Sequence, residues 1–376
     1  MRVLHFYKTS FPDTMGGVEQ VIKQIALGAN KHGVRTDVLS LTAQPRARTQ
    51  DIDGYQVHRA RLDLQIASTG FSLGAFWRFA QLAKRADVIH YHFPWPFMDL
   101  VHFATRVKKP TLVTYHSDII RQKHLLTLYR PLKRRFLKSV DRIVATSPNY
   151  FATSDVLESY ADKVSVIPIG VDKAGYPAPT AQRLHFWRER LGPKFFLFVG
   201  VIRYYKGLHI LIEAAQGCDY PIVIVGAGPI ERELQQQAAR LGLRNVHFLG
   251  QLPDEDKVAL LTLCYAVVFP SHLRSEAFGI SLLEGAMYGK PMISSEIGTG
   301  TTFINIGDET GLVVPPSEPV ALRQAMRYLW EHPDQAAAMG RRAEQRYWDY
   351  FTAEQMVSSY VELYEELVHQ HRRAHQ

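Results

Sequence analysis

The sequence predicts an α/β protein of two Rossmann-like domains, each a parallel sheet flanked by helices. Three observations carry the prediction. Short β-branched runs alternate with amphipathic stretches along the chain, as βα units require. The pattern restarts after a Pro- and Gly-rich segment, Pro168 to Thr180. The length of 376 residues, 46% of them hydrophobic, suits two ordinary cores. Ligands of such sheets bind at the carboxyl ends of the strands, so two sheets facing one another predict an interdomain cleft.

The first-half strands are RVLHFY, TDVLSL, DVIHYH, TLVTYH, RIVATS and VSVIPI. Val18 to Gly33 reads as the first helix, ending on a glycine stop. YQVHRA, after Asp53-Gly54, reads as a hairpin arm. The second-half strands are FFLFVG, PIVIVG, VHFLG, AVVFP, PMISS and GLVVPP. Ile230 to Gly242 and Asp254 to Cys264 are its clearest helices, the latter entered through Pro253. A last helix runs from about Thr352, after a bend expected at Trp348–Tyr350.

Composition excludes some classes. Both cysteines, Cys218 and Cys264, fall in segments read as helical, which predicts reduced interior thiols of a cytoplasmic protein. MRVLHFYKTSF reads as a first strand and not a signal peptide, and no run is long and apolar enough to span a bilayer. The net charge is +8. Its densest stretch, Arg121 to Ser139, interleaves basic residues with Leu, Tyr and Phe and is interrupted by Pro131. This predicts peripheral contact with anionic lipid at the inner face of the plasma membrane. No nucleic-acid recognition signature accompanies the charge.

EAFGISLLE, Glu276 to Glu284, carries the most chemistry. Eight helical steps return to within about 80° of the starting direction, so both carboxylates point broadly to one side. The amides of Phe278, Gly279 and Ile280 lie at a helix start, where unpaired N–H groups suit a phosphate. Arg203 and Lys206 follow the strand FFLFVG, where cations would neutralise a diphosphate leaving group. His116 closes the strand TLVTYH, within reach of a sugar hydroxyl. Gly16-Gly17 separates the first strand from the first helix and would let backbone approach a ligand.

Other motifs read more plainly. His90 and His92 share one face of their strand, but no third ligand with metal spacing accompanies them. The aromatic run Phe93 to Phe97 would line a carbohydrate or lipid subsite. Acceptor-side residues are expected within His90–Phe97 and Asp118–Lys123. Asp51-Ile52-Asp53 reads as turn chemistry and Asp254-Glu255-Asp256 as helix capping, not as metal sites. Gly226-Ala227-Gly228 lacks the third glycine of a dinucleotide fingerprint.

Together, Gly16-Gly17, His116, the Arg203/Lys206 loop, the VGAGP turn and Glu276/Glu284 resemble the retaining GT-B glycosyltransferases of family 4 over nearly the whole chain. The resemblance implies an N-terminal acceptor-side domain, residues 1–171, and a nucleotide-sugar-binding domain, 172–351. The terminal helix, 352–376, would pack back on the first. It implies metal-independent transfer with no cofactor beyond the donor substrate. Glu276 would contact donor-sugar hydroxyls, Glu284 the ribose, Arg203 and Lys206 the phosphates, and His116 the sugar near the reacting carbon. Many members carry arginine directly after the strand-end glycine, where this chain has Val201. The form VIRYYKGLHIL is similar to bacterial mannosyl- and rhamnosyltransferases of surface-polysaccharide assembly, lipopolysaccharide O-antigen included, which use GDP-sugars. The implied activity is hexosyl transfer, of mannose or a related sugar from a GDP-sugar, to a lipid-linked or oligosaccharide acceptor. The alternatives are a UDP-sugar-dependent transferase of the same fold, a nucleotide-sugar epimerase or a non-catalytic sensor.

Overall fold

The structure is a computed structural model that describes residues 1–44, 47–66, 69–119 and 123–374, the side chains of 123–126 excepted. Ile120, Arg121 and Gln122, within the stretches expected to meet acceptor or lipid, lie outside the described residues. The chain divides into two compact units. One comprises Met1–Gly170 and Ala353–Gln376, the other Val171–Thr352.

The first unit is built on an eight-stranded sheet. In spatial order its strands are Val164–Val166, Arg142–Ala145, Thr111–Tyr115, Val88–Phe93, Arg2–Phe6, Arg35–Thr42, Tyr55–Arg61 and Thr49–Ile52. All pairings are parallel except the last, where the Asp53-Gly54 turn makes a hairpin. Asp51 Oδ1 accepts from the Gly54 amide at 3.1 Å, and Asp53 and Gly54 both take positive φ, so this acidic pair serves the turn. Val88–Phe93 is buried at every residue, as a central parallel strand covered on both faces must be.

Helix Gly17–Lys31 buries Val21, Ile22, Ile25, Ala26 and Ala29 along one face. Helix Ala353–Ala374 packs against it, with Met356, Val357, Tyr360, Val361, Tyr364 and Leu367 inward. Gly28 lets the two approach, since a Cβ there would lie 2.5 Å from Val357 Cγ2.

The second unit holds a six-stranded, wholly parallel sheet. Its order is Val246–Gly250, Ile222–Val225, Phe196–Val199, Ala266–Phe269, Met292–Ser295 and Gly311–Val314. In chain order that is 3-2-1-4-5-6, the doubly wound Rossmann arrangement.

Several expectations are corrected. Pro131 sits inside a continuous helix, Lys123–Ser139, because Phe136 and Leu137 are buried and their packing outweighs one lost backbone hydrogen bond. The bend before the last helix falls at Phe351–Thr352. Trp348 and Tyr350 belong to helix Pro333–Tyr350, whereas buried Phe351 anchors against Phe278 and Phe303. Phe93, Trp95 and Phe97 are core residues and line no subsite, and the Trp95 indole donates to Gly70 O at 3.1 Å. Cys218 and Cys264 lie just past helix ends, in neither helix, and both are free thiols.

Candidate active-site residues

In the second unit the strand order reverses between Phe196–Val199 and Ala266–Phe269, the switch point where such sheets bind ligands. The loops leaving these two strands carry Lys206 and Glu276. Backbone contacts fix the first loop. The Ile202 amide donates to Ala227 O at 2.9 Å. A Cβ on Gly226 or Gly228 would lie 1.9 Å from Gly200 O or 2.0 Å from Ile202 O. The glycines of the VGAGP turn therefore serve this loop. Gly207 takes φ +70°, and a Cβ there would meet Pro270 O at 1.9 Å.

So held, Lys206 is buried, with Nζ donating to Glu276 Oε2 and lying 4.8 Å from the centre of the Phe269 ring. Ser271 Oγ donates to the same carboxylate oxygen at 3.3 Å. Burial and the Glu276 charge together push the neighbouring Tyr205 phenol up, so it stays protonated. Arg203 is not gathered in. Its side chain is exposed and makes no hydrogen bond or ion pair among the described residues, and only its carbonyl is engaged, accepting from the Lys206 amide at 3.0 Å.

Gly279 caps helix Ile280–Met287 with φ +104°, and its carbonyl takes the Leu282 and Leu283 amides at 3.0 Å. The amides of Phe278, Gly279 and Ile280 have no backbone acceptor among the described residues. One turn on, buried Glu284 accepts at Oε1 from Tyr176 OH at 2.8 Å and from Lys257 Nζ at 3.1 Å. Its other oxygen carries no hydrogen bond among the described residues. Burial works against the Lys257 ammonium, but Glu284 and Asp254 outweigh it and hold its pKa above the usual lysine value.

Lys257 and Tyr176 escaped the sequence reading. The one signal was the Asp254/Lys257 spacing, which reads as helix-start charge. The helix is in fact capped by Pro253 without a side-chain bond, and buried Asp256 takes the Trp187 indole N–H at 2.7 Å.

In the first unit, His116 lies at the end of Thr111–Tyr115, buried, with its amide donating to Phe93 O at 3.0 Å. Behind it stand three more buried histidines, His92, His5 and His90. His116 Nε2 and His92 Nδ1 are 2.9 Å apart, as are His92 Nε2 and His5 Nδ1. His90 bonds Tyr364 OH through Nδ1 and Thr114 Oγ1 through Nε2, each at 2.7 Å. Burial alone pulls His5 and His116 down to about 3. Burial and the neighbouring rings push His90 and His92 well below the ordinary value. All four rings are neutral at physiological pH.

His5 was the residue missing from the metal reading. Nitrogens of His5, His90 and His92 lie within 4.8 Å of one another. Register brings it there, because His5 pairs with His90 across parallel strands. Both nitrogens of His90 and of His92 are already hydrogen-bonded, so the donor set fits a hydrogen-bonded core better than an ion.

Gly16 is extended, at φ −119° and ψ 177°, so its backbone alone does not require glycine. A Cβ there would meet Glu19 Oε2 at 2.4 Å. Gly17 opens the helix, and Glu19 sits in its first turn with Oε1 accepting from Thr14 Oγ1 at 2.8 Å. Nearby, a cavity of about 280 Å³ at the ends of Arg2–Phe6 and Arg35–Thr42 is lined by Lys8, Thr9, Asp13, Thr42, Gln65 and Gly70, among others. Asp13 is held there by a 2.8 Å ion pair with buried Arg59.

The fold defines a class first: two Rossmann-like units of GT-B type, as in solved structures that it resembles in shape. Sucrose-phosphate synthase from Thermosynechococcus elongatus superposes with a TM-score of 0.82 at 21% identity, covering 97% of this chain and 98% of that one. HepE of Anabaena in complex with UDP-glucose does so at 0.76 and 20%, covering 97% and 100%. Residues 15–174 match the family model described as Glycosyltransferase Family 4, and residues 183–346 that described as Glycosyl transferases group 1. Among sequence relatives, the D-rhamnosyltransferase WbpZ of Pseudomonas aeruginosa is 69% identical over 94% of this chain and 93% of its own. The O-antigen chain mannosyltransferase C of Escherichia coli is 51% identical over 98% and 99%. The chain belongs to glycosyltransferase family 4 and is a glycosyltransferase.

Proposed function

We propose that the protein transfers mannose or a related hexose from a GDP-sugar to a lipid-linked or oligosaccharide acceptor in surface-polysaccharide synthesis, with retention at the anomeric carbon. The observation that carries this reading is the buried Lys206–Glu276 pair at the switch point of the second unit. A fixed ammonium beside unpaired helix-start amides suits a diphosphate, and a carboxylate beside it suits sugar hydroxyls. Glu284, oriented by Lys257 and Tyr176, keeps one oxygen open for the ribose diol. From the first unit, His116 and the Gly16-Gly17 turn are the residues assigned to the same donor. The two relatives named above support mannose or rhamnose as the sugar transferred.

The reaction needs no enzymic nucleophile in this reading. The bond from the anomeric carbon to the diphosphate oxygen breaks, with Lys206 and the helix-start amides taking up the developing charge. The acceptor oxygen bonds the same face, and its proton passes to the leaving phosphate oxygen. No cofactor or metal is required in this reading, because Lys206 and the helix-start amides supply the counter-charge. Beyond the catalytic steps, the helix Lys123–Ser139 exposes Leu128, Arg130, Arg134, Arg135 and Lys138. These are the chemistry for peripheral contact with an anionic leaflet. Among the described residues no helix is long and apolar enough to cross a membrane.

The test is a panel of GDP- and UDP-sugars, scored for thermal stabilisation, hydrolysis and transfer, with the anomeric configuration of the product read by NMR. GDP-mannose or GDP-rhamnose should lead the panel and the product should keep the donor's configuration. Selective binding of UDP-sugars would overturn the donor assignment. A new sugar isomer formed without acceptor would favour an epimerase.

A further inference from the structure

We propose that His92 and His5 are positioning residues which fix the tautomer of His116, so that His116 meets its ligand with a proton on Nδ1. This rests on the reading that His116 serves the donor sugar.

The positions of the protons along a chain of rings decide the tautomer. A neutral imidazole carries one N–H and one bare nitrogen. His116, His92 and His5 are joined nitrogen to nitrogen by two contacts of 2.9 Å, and each contact needs one donor and one acceptor. Only two arrangements satisfy both. In the first, every proton points inward, and the chain ends on an N–H at His5 Nε2. In the second, every proton points outward. His5 Nδ1–H then donates to His92 Nε2, His92 Nδ1–H donates to His116 Nε2, and the free N–H is on His116 Nδ1.

His5 Nε2 decides between them. It is buried and has no hydrogen-bond partner among the described residues. The inward arrangement strands a donor in the core, whereas the outward one strands only a lone pair. Orphaned buried N–H groups are the rarer defect in folded proteins. At the other end, His116 closes a strand at the carboxyl edge of the sheet, where a ligand oxygen or water can accept. His90 stacks on His92 with ring centres 4.3 Å apart and spends both its nitrogens on Tyr364 and Thr114, so it offers His5 nothing.

The chemical consequence is specific. His116 donates a hydrogen bond to a sugar oxygen, and its bare Nε2 is already taken by the His92 N–H, so it has no free nitrogen to take a proton from an acceptor. That agrees with a reaction in which the leaving phosphate takes it.

The experiment is a two-bond proton–nitrogen correlation spectrum of the full chain with 15N-labelled histidine, at pH 7.5. The His116 resonances are assigned by their loss in His116→Asn. The expected result is a single tautomer of His116, protonated at Nδ1 and bare at Nε2. A proton on Nε2 overturns the proposal. In His92→Phe the tautomer should become mixed. The kcat should then fall about tenfold, with KM for the donor changed less than threefold. His92→Gln, whose amide can donate to the same nitrogen, should restore most of the loss. Equal loss in both variants, or a KM effect alone, would make His92 merely structural. Zinc added to the wild type should leave the spectrum unchanged; stoichiometric shifts of His5, His90 and His92 would overturn the relay in favour of an ion site. If His116→Asn keeps full turnover, the donor role of His116 falls while the tautomer result stands on its own.

Discussion

Replacing one member of the Lys206–Glu276 pair should cost far more than replacing both. Each side chain is 11% exposed. At contact distance, about 3 Å, and an effective dielectric near 20, their attraction is about 5 kcal/mol. Desolvation of two ions offsets most of that, so the intact pair adds little net stability. Removing one partner leaves the other buried without compensation, at about 3–5 kcal/mol. Lys206→Met and Glu276→Gln keep the side-chain shapes and remove one charge each. Each should therefore destabilise the ligand-free protein by about 3 kcal/mol, roughly 6–12 °C in Tm for a unit of this size. The double variant should lie within about 1 kcal/mol of wild type, a coupling well beyond the few tenths expected of independent sites. Urea unfolding followed by tryptophan fluorescence measures all four corners of the cycle. If the two single effects are each below 0.5 kcal/mol by that assay, within the range expected for surface substitutions, or if they simply add, the buried pair is not what the geometry indicates. Calorimetry against GDP adds the functional arm. Lys206→Met should lose at least about tenfold in affinity, about 1.4 kcal/mol, if the ammonium serves the diphosphate.

Glu276→Ala should abolish transfer while circular dichroism stays native, and wild-type turnover would remove Glu276 from the site. Gly207→Ala should unfold or severely destabilise the second unit, because the new Cβ meets Pro270 O at 1.9 Å in a left-handed conformation; a Tm within a degree or two of wild type would contradict that packing. The buried histidines set an acid limit. Their folded pKa values lie below the unfolded value of about 6.5, with His5 and His116 near 3, so the unfolded chain binds more protons as pH falls. Their stability contribution is present above about pH 6.5 and is lost from there downward, by about 1.4 kcal/mol per pH unit for each ring. The melting temperature of His5→Phe should therefore fall less than that of wild type between pH 7 and 5, and parallel profiles would refute the neutral cluster. Activity should survive chelators, whereas its loss and recovery on adding a divalent ion would show that a metal takes part.

The sequence by itself determined the elements and the chemistry near each. Strand runs and helix stops are local properties, so both sheets were legible from β-branched runs, and the Asp53-Gly54 hairpin from its turn residues. Lys206, Glu276 and Glu284 were legible because each stands beside a strand end or helix start, where ligand chemistry concentrates. The family comparisons confirm the fold and the transferase class reached from those same motifs. What stands opposite what was decided only by tertiary structure. Lys206 meets Glu276 across 70 residues, Tyr176 meets Glu284 across 108, and His5 meets His92 across 87. Strand order and register bring those partners together, and neither leaves a local trace. The same reason explains the corrections. Pro131 lies within a helix, and Phe93, Trp95 and Phe97 lie in the core, because burial against distant segments outweighs what the neighbouring residues favour.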